Sequence, residues 1–352
     1  MKIEKAILKE LVSTASANVA RTQNIFSCVR IIHKGNEINI QAMDTLSVEA
    51  FAEVAEAGDE FDIFVSGVSL SKAVSHFNKN VEMKVDGDVL ILSEGAFVQR
   101  LKLMTAENSD SWKFPQEPLQ IFEMHDTARK FLFNKIDAIA NPKMEGTMRG
   151  TCKFSSNGKE ITTNSMDGSM LSNRKYSLEL PEFELMLPTQ ITRLIATNSG
   201  ACKFGFMRNS GGVYLAMFKF EHVKYFTRVY NIEYPDISKL LNMPRSNSFK
   251  IDALTLKNEV AKFGDYSRAI ISWDNCEVSF SATSELGAMD DVLSVEETYE
   301  AGEIKINPQL LAKVIANMAD DVEVMVSFCG SGIPTLNVET QGNIAKVAGL
   351  IG

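Results

Sequence analysis

The chain repeats one pattern of apolar positions three times. In each copy, apolar residues at helical spacing lead directly into a hairpin in which apolar and polar residues alternate. The helical parts fall at residues 70–77, 191–195 and 311–318, and the hairpins turn at 86–87, 209–212 and 330–332. The copies lie about 120 residues apart, whereas solenoid repeats run roughly 20–50 residues. The pattern therefore predicts three similar domains of ordinary size.

Each copy also begins with a helix and a set of strands. The apolar spacing predicts helices within residues 3–12, 131–140 and 251–263, with Asn141-Pro142 ending the second and Gly264 the third. The strands that follow turn at 34–36, 157–158 and 274–275, where Gly or Asn tolerates positive φ. Polar segments with prolines at 107–118 and 242–248 read as linkers. The prediction is an α+β protein with domains at residues 1–117, 118–244 and 245–352.

Composition narrows the class of protein. The chain has 352 residues, of which 45% are hydrophobic and 23% charged, and its apolar runs are short, so disorder and membrane spans are not expected. No signal-peptide pattern is visible at the start, which favours a cytoplasmic location. The five cysteines are far apart in sequence, and three of them occupy alternating apolar strand positions. They are expected to be reduced packing residues rather than disulfides or metal ligands.

The charge is unevenly distributed. The net charge is −9, which argues against ordinary high-affinity nucleic-acid binding. Acidic residues cluster in strand and loop segments, whereas the predicted helices and their ends carry cations in all three copies. These cations form a candidate shared basic face, and they are Lys5, Lys9, Arg21, Lys72, Lys79, Arg129, Lys130, Lys135, Lys143, Arg193, Lys257, Lys262 and Lys313.

The sequence contains few motifs that indicate catalytic chemistry. The four histidines do not pair with Cys, Asp or Glu at metal-ligand spacing, and the Gly-rich segments fall at hairpin turns rather than between a strand and a helix. One alternative is a hydrolase that uses Asp167 with His125 or His222. Another is a structural or assembly protein of repeated α+β domains, such as a virion component, without a role on DNA.

Three segments resemble a known family. Residues 230–241 contain Tyr234-Pro235-Asp236 and end in Leu240-Leu241, which is similar to a G-x-F/Y-P-D-Y-x-x-V/L-L/I segment. Residues 163–171, with Asp167-Gly168, resemble a T-D-G-x-R-L segment, and residues 305–315 resemble a helix of the last domain. Together with the three-copy layout, these segments resemble the beta sliding clamp of bacterial DNA polymerase III along essentially the whole chain. Met170 in place of arginine and an unusual C-terminus indicate a phage-encoded or otherwise divergent member.

The resemblance implies a fold and a function. Two chains of three domains would close into a homodimeric ring, with helices lining the hole and antiparallel sheets outside. The basic helices would then meet the phosphates of enclosed duplex DNA, and retention would be topological and non-specific. The implied function is a non-enzymatic processivity factor that needs no cofactor or metal and tethers the replicative polymerase. A clamp loader would be the second protein partner.

The resemblance also implies two sets of apolar contact residues. A groove between the second and third domains would receive short hydrophobic motifs of the polymerase and loader, and flexible Met side chains suit several clients. Its residues would be Met148, Met170, Leu171, Leu241, Pro244, Ala348 and Leu350. The seam between the two chains would pair Leu101 and Leu103 with Val260 and Phe263. All of these residues could equally belong to the core of one chain.

Overall fold

The computed structural model describes residues 1–19, 27–104, 112–285, 287–316, 318–329 and 334–349. Within these ranges the chain forms seven α-helices: α1 (Lys5–Ser16), α2 (Gly67–Ser75), α3 (Asp126–Phe133), α4 (Thr189–Thr197), α5 (Ser238–Leu241), α6 (Ala253–Lys262) and α7 (Pro308–Ile315). None of the helices in the described ranges is both long enough and apolar enough to cross a membrane.

Strands make up most of the remaining regular structure. The first twelve are β1 (Lys2–Glu4), β2 (Cys28–Lys34), β3 (Glu37–Met43), β4 (Leu46–Glu53), β5 (Phe61–Ser66), β6 (Asn80–Asp86), β7 (Val89–Glu94), β8 (Phe97–Lys102), β9 (Phe122–Met124), β10 (Thr151–Ser156), β11 (Glu160–Met166) and β12 (Met170–Ser177). The others are β13 (Phe183–Pro188), β14 (Cys202–Asn209), β15 (Gly212–Lys219), β16 (Val223–Arg228), β17 (Arg245–Asp252), β18 (Ala269–Asp274), β19 (Glu277–Ser284), β20 (Gly287–Ser294), β21 (Thr298–Tyr299), β22 (Gly302–Ile306), β23 (Glu323–Cys329), β24 (Thr335–Thr340) and β25 (Asn343–Ala348).

Local sequence explains where several helices begin. The side chain of Asp252 accepts a hydrogen bond from the backbone N–H of Thr255 at 2.8 Å, which caps α6. The side chain of Asn307 accepts one from the N–H of Gln309 at 2.9 Å, and Pro308 occupies the first turn of α7. Proline suits that position because its missing N–H has no partner inside the helix.

The first compact unit comprises Met1–Met124 and Ser199–Arg228. Its four-stranded antiparallel sheet has the order β1-β6-β7-β8, and its eight-stranded sheet has the order β5-β2-β3-β4-β16-β15-β14-β9. Helices α1 and α2 pack against each other, and α1 also contacts β3 and β4. Leu8, Leu11 and Leu70 from the two helices join the strands in one apolar core.

The second compact unit comprises His125–Asn198 and Val229–Gly352. Its nine-stranded sheet has the order β13-β10-β11-β12-β25-β24-β23-β17-β21, and its four-stranded sheet has the order β20-β19-β18-β22. Helix α3 packs against α4, and α6 packs against α7. The apolar sides of α6 and α7 share one core with the strands, into which Leu256 and Leu311 project.

The predicted α+β class is confirmed, and every strand pairing in the described residues is antiparallel. The predicted turns carry positive φ at Gly35, Gly158 and Asn275, with values of 59°, 92° and 47°. The third hairpin turn, residues 330–332, lies outside the described residues. Two sheets join strands on either side of the predicted domain limits, because β4 pairs with β16 and β12 pairs with β25. The division into three domains stays a prediction.

The helix predicted to run to Ala140 is shorter in the structure. Helix α3 ends at Phe133, Lys135 adopts a left-handed conformation with φ 56°, and a short 3-10 turn follows. The buried guanidinium of Arg174 donates hydrogen bonds to the carbonyl oxygens of Leu132 at 3.1 Å and Asn134 at 2.7 Å. A cation at the carbonyl end satisfies groups that a continuing helix would have used internally. The apolar spacing alone did not contain this information.

Candidate functional site

Most of the predicted helical cations are exposed. On the pair α1 and α2, Lys9 and Lys72 are exposed and Lys5 is half-buried, and Lys79 is exposed just before β6. In the second unit, the exposed cations on or near the helices are Lys130, Lys135, Lys143, Arg193, Lys262 and Lys313. Arg21 lies outside the described residues. The two helix pairs that carry Lys72 and Lys313 therefore each present positive charge to solvent.

Several of these cations are held by carboxylates. The amine of Lys130 lies 2.6 Å from Asp126, one turn earlier in α3. The amine of Lys262 lies 2.7 Å from Glu259 and 2.6 Å from Asp291. These hydrogen bonds from Lys130 and Lys262 hold the pKa values of Asp126 and Asp291 below their usual range. Such cations are partly neutralised and have less freedom to reach a phosphate.

Lys257 is also tied down. Its amine donates to the backbone oxygen of Met318 and lies 2.7 Å from the Asp320 carboxylate. Its side chain is half-buried, because it spans from α6 to the segment that follows α7. By contrast, no carboxylate in the described residues lies within 4.0 Å of the amines of Lys9, Lys72 or Lys313.

The prediction that Arg129 belongs to an exposed basic face is wrong. Its side chain is fully buried between α3 and α4. The guanidinium donates to the carbonyl oxygens of Ile195 and Ala196 at the end of α4, and to the carboxylate of Asp126. A cation is favourable at this place because the last carbonyls of a helix lack internal partners and carry partial negative charge. Arg129 therefore serves the packing of the helix pair.

A second feature is an apolar pocket on the nine-stranded sheet. Strands β12 and β25 pair with Leu171 opposite Lys346, which brings residues far apart in sequence together. The pocket has a volume of about 320 Å³ and opens to solvent. Its lining consists of Met166, Gly168, Ser169, Met170, Leu171, Leu240, Met243, Thr335, Lys346 and Ala348. The sequence prediction included Met170, Leu171 and Ala348 from this set.

An apolar cluster adjoins the pocket through Leu171. It contains Leu171, Met186, Tyr234 and Ile237 as buried members. Met148 and Leu241, both predicted for the groove, pack against this cluster and are half-buried. Burial raises the pKa of the Tyr234 phenol. The cluster extends the apolar surface beyond the pocket toward α5.

Not every predicted groove residue lines this pocket. Pro244 is exposed and is not part of the lining, and Leu350 lies outside the described residues. The sequence prediction missed the other lining residues, which are Met166, Gly168, Ser169, Leu240, Met243, Thr335 and Lys346. Met166, Leu240 and Met243 lie within segments already singled out for other reasons, at residues 163–171, 230–241 and 242–248. No apolar pattern could have indicated Lys346, because it is a charged residue in a lining of mostly apolar side chains.

The structure places two of the predicted seam residues in the core. Val260 and Phe263 are 2% and 1% exposed, and they pack inside the core formed by α6, α7 and the neighbouring strands. Val260 lies on the same apolar side of α6 as Leu256, and Phe263 follows directly after the last residue of α6 and packs into the same core. Leu101 and Leu103 are half-buried against the core of the first unit, at and just beyond the edge strand β8.

Asp167 has a structural role in the described residues. Its carboxylate accepts hydrogen bonds from the backbone N–H groups of Ser169 and Met170, both at 3.1 Å, which closes the turn before β12. No hydrogen bond or ion pair joins it to His125 or His222 within the described ranges. The hydrolase alternative is therefore without geometric support in this part of the chain.

The described ranges lack metal-binding geometry. No group of three or more His, Cys, Asp and Glu side chains that could hold a metal ion occurs in the described residues. All five cysteines are free; four are buried and Cys276 is exposed. Burial raises the pKa of the Cys152 thiol to about 12, so this thiol is a packing group rather than a thiolate.

The whole architecture matches one class of known structures. The sequence matches no established family profile and no curated protein. The fold is nevertheless that of the beta sliding clamps of bacterial DNA polymerase III, as the sequence resemblance implied. A sliding clamp from Pseudomonas aeruginosa bound to griselimycin superposes with a TM-score of 0.88 at 14% identity, covering 100% of this chain and 99% of the other.

Two further structures give the same result. The sliding clamp of Bacillus subtilis has a TM-score of 0.88 at 16% identity, covering 100% of this chain and 98% of that one. The Helicobacter pylori beta clamp bound to a DNA ligase peptide has a TM-score of 0.86 at 14% identity, covering 100% and 99%. At these identities the similarity establishes the fold, and function has to rest on the sites of this chain.

Proposed function

We propose that this chain is a DNA sliding clamp that encircles duplex DNA and tethers a replicative polymerase, without catalysing a reaction itself. The observation that carries the proposal is the match of 100% of this chain to 99% and 98% of two chains with the beta-clamp fold. Two copies would close into a ring built from domains at residues 1–117, 118–244 and 245–352. The ring would surround the duplex, so the chain can be acidic overall and still be retained on DNA.

The exposed helical cations support a role on DNA. Lys72 and Arg193 lie on the second helix of their pairs and point to solvent, and Lys313 does so on α7. Contacts of this kind with phosphates are weak and independent of sequence, which suits sliding. We assign the DNA-facing role to Lys5, Lys9, Lys72, Lys79, Lys135, Lys143, Arg193 and Lys313, with smaller contributions from Lys130, Lys257 and Lys262.

The apolar pocket supports a role in binding partner peptides. Among the neighbours in fold, the Pseudomonas aeruginosa clamp binds griselimycin and the Helicobacter pylori clamp binds a DNA ligase peptide. A lining of Met170, Leu171 and Ala348 suits short hydrophobic motifs of a polymerase and a clamp loader. Met148 and Leu241 would extend the contact along the adjoining cluster.

The ring itself can be tested without a loader. Linear duplex DNA is incubated with the protein, its ends are joined by a ligase, and the mixture is passed over a sizing column at 150 mM salt. We expect the protein to remain with the closed circle and to leave DNA that was not ligated. Equal loss from both forms would contradict a topological clamp. Light scattering should give a mass of twice the 39.0 kDa of one chain.

The inner-face assignment is tested with two pairs of substitutions. Lys72→Glu with Arg193→Glu should lower the amount of protein captured by ligation, because like charges oppose entry of the duplex. Lys84→Glu with Lys175→Glu changes the net charge equally at exposed strand positions and should have a much smaller effect. If the chain were an assembly protein without a role on DNA, both pairs of substitutions would change the amount of captured protein equally.

A further inference from the structure

Lys346 is a buried cation in the wall of the apolar pocket. Its residue is only 4% exposed, although it projects from the same side of β25 as Ala348, which also lines the pocket. Leu171 stands directly opposite on β12. A lysine ammonium has three hydrogen-bond donors and no acceptor. Burying such a group is costly unless its donors find partners, so each donor has to be accounted for.

The surroundings of Lys346 leave its amine poorly satisfied. Its one hydrogen-bond partner in the described part of the chain is the Sγ atom of Cys329, at 3.6 Å. Sulfur is a weak acceptor. The Glu339 carboxylate is held by other groups, since Arg245 lies 2.9 Å from Oε2 and the Asn337 amide donates to the same oxygen at 2.8 Å.

Burial lowers the pKa of the Lys346 amine, in keeping with its single weak hydrogen-bond acceptor among the described residues. A buried charge without a compensating partner is destabilising, and buried ionic groups can often be replaced by apolar residues without loss of stability. Among the described residues, Lys346 lines a cavity of about 320 Å³ without a carboxylate within 4.0 Å of its amine, which favours an acceptor that enters from outside.

We infer that Lys346 selects client peptides that place an acidic side chain among hydrophobic residues. The inference rests on the proposed function of the pocket as a peptide site. The carboxylate would accept from the Lys346 amine, while neighbouring apolar side chains contact Met170, Leu171 and Leu240. An internal acidic residue fits better than a free carboxyl terminus, because Leu171 on β12 and Ala348 on β25 place apolar side chains beside the lysine that would contact apolar neighbours of the acid in the peptide.

The test begins with a random peptide library displayed on phage. It is selected against the wild-type protein, Lys346→Met, Lys175→Met and Leu171→Asp. Methionine keeps the length of the side chain and removes the charge, and Lys175 is an exposed lysine on β12 that serves as the matched control. We expect wild type and Lys175→Met to enrich Asp or Glu at one position flanked by apolar residues, and Lys346→Met to lose this enrichment.

A second measurement does not depend on any protein variant. The selected peptide is synthesised with Asp, with Asn at the same position, and with either a free or an amidated C-terminus. Replacing Asp by Asn should weaken binding to the wild-type protein about tenfold, as expected for loss of a charge-assisted hydrogen bond. The same change should have little effect on Lys346→Met. Amidation should leave affinity unchanged.

The failures can be told apart. Apolar peptides that require Leu171 but show no acidic preference would overturn the role of Lys346 and leave the peptide pocket standing. An acidic preference that persists in Lys346→Met would do the same. If amidation of the peptide C-terminus abolished binding and the Asp-to-Asn change did not, Lys346 would bind the terminal carboxylate and not an acidic side chain. If no selected peptide depends on Leu171, both the pocket and the role of Lys346 are wrong.

Discussion

Helices α1 and α2 of the first unit and helices α3 and α4 of the second carry similar cations in sequence but use them differently. Lys9 and Lys72 of the first pair extend into solvent without a carboxylate within 4.0 Å in the described residues. Arg129 of the second pair is buried against the end of α4, and Lys130 is held by Asp126.

A cation on a helix can therefore serve two physical purposes. One is to supply charge to solvent and to any polyanion that approaches. The other is to satisfy the carbonyl end of a neighbouring helix, where the unpaired oxygens attract positive charge. Lys257 of α6 is intermediate between the two. Its amine is bound by the Met318 oxygen and the Asp320 carboxylate, and its side chain is half-buried. Counting the cations of the three helix pairs in the sequence therefore overestimates the positive charge that is free to contact DNA.

The largest expected effect is that of Arg129→Met on stability. The substitution removes the guanidinium donor from the carbonyl oxygens of Ile195 and Ala196, and it leaves Asp126 with Lys130 as its remaining cationic partner in the described residues. We expect the free energy of unfolding to fall by about 3 kcal/mol, as is typical when one member of a buried polar set is removed. Urea unfolding measures this loss. Lys72→Met, the exposed counterpart on α2, should change stability by less than about 0.5 kcal/mol. Equal effects would remove the distinction between the helix pairs.

Lys257→Met should have an intermediate effect. It removes hydrogen bonds to the Met318 oxygen and to Asp320, but the side chain retains partial access to water. We expect a loss of about 1 kcal/mol in the free energy of unfolding. Lys313→Met on the neighbouring helix α7 is the matched control, since its amine is exposed. A loss as small as that of the control would mean that Lys257 is equivalent to an exposed cation.

The third prediction concerns the salt dependence of DNA binding. Lys9→Gln with Lys72→Gln should reduce the slope of log K against log salt concentration by about 1.8, if each lysine neutralises one phosphate. Lys130→Gln with Lys262→Gln should reduce it by clearly less, because carboxylates hold those two amines. Binding to labelled duplex DNA over a range of salt concentrations gives both slopes. Similar slopes for the two double variants would contradict the distinction between free and held cations.

The smallest effect is expected on the pH dependence of stability when the Asp126 carboxylate is removed. Hydrogen bonds from Lys130 and Arg129 lower the pKa of its carboxyl group in the folded protein. The carboxylate therefore stabilises the fold above its unfolded pKa of about 3.9, and this contribution is lost as pH falls through the lower folded pKa. Asp126→Asn should have a lower Tm than wild type at neutral pH and lose the difference in strong acid. A constant difference across this window would contradict the prediction.

The sequence was a sound guide to the elements with regular spacing. Apolar residues at helical spacing placed Leu70 and Leu311 in the core, and this left Lys72 and Lys313 exposed on the same helices. Turn residues with positive φ, such as Gly158, marked the hairpins. These features depend on neighbours within a few residues, so the local sequence contains the relevant information.

The candidate sites were predicted only in part. Met170 and Leu171 were assigned to the pocket through a resemblance, and the structure brings them beside Ala348 because β12 pairs with β25. Val260 and Phe263 were assigned to a seam although their spacing from Leu256 already directed them to the core. In that case the resemblance overrode a correct physical signal.

Local sequence was enough to reveal a pattern of apolar positions that recurs three times, the positions of most helices and hairpins, and the cations on the helices. Tertiary structure decided which cations remain available. The carbonyl oxygen of Ala196 that binds Arg129 lies 67 residues further along the chain. Lys346 on β25 likewise reaches Cys329 on β23 only because both strands pair with β24 in the sheet. Burial and charge compensation depend on such distant partners, and no local pattern of residues specifies them.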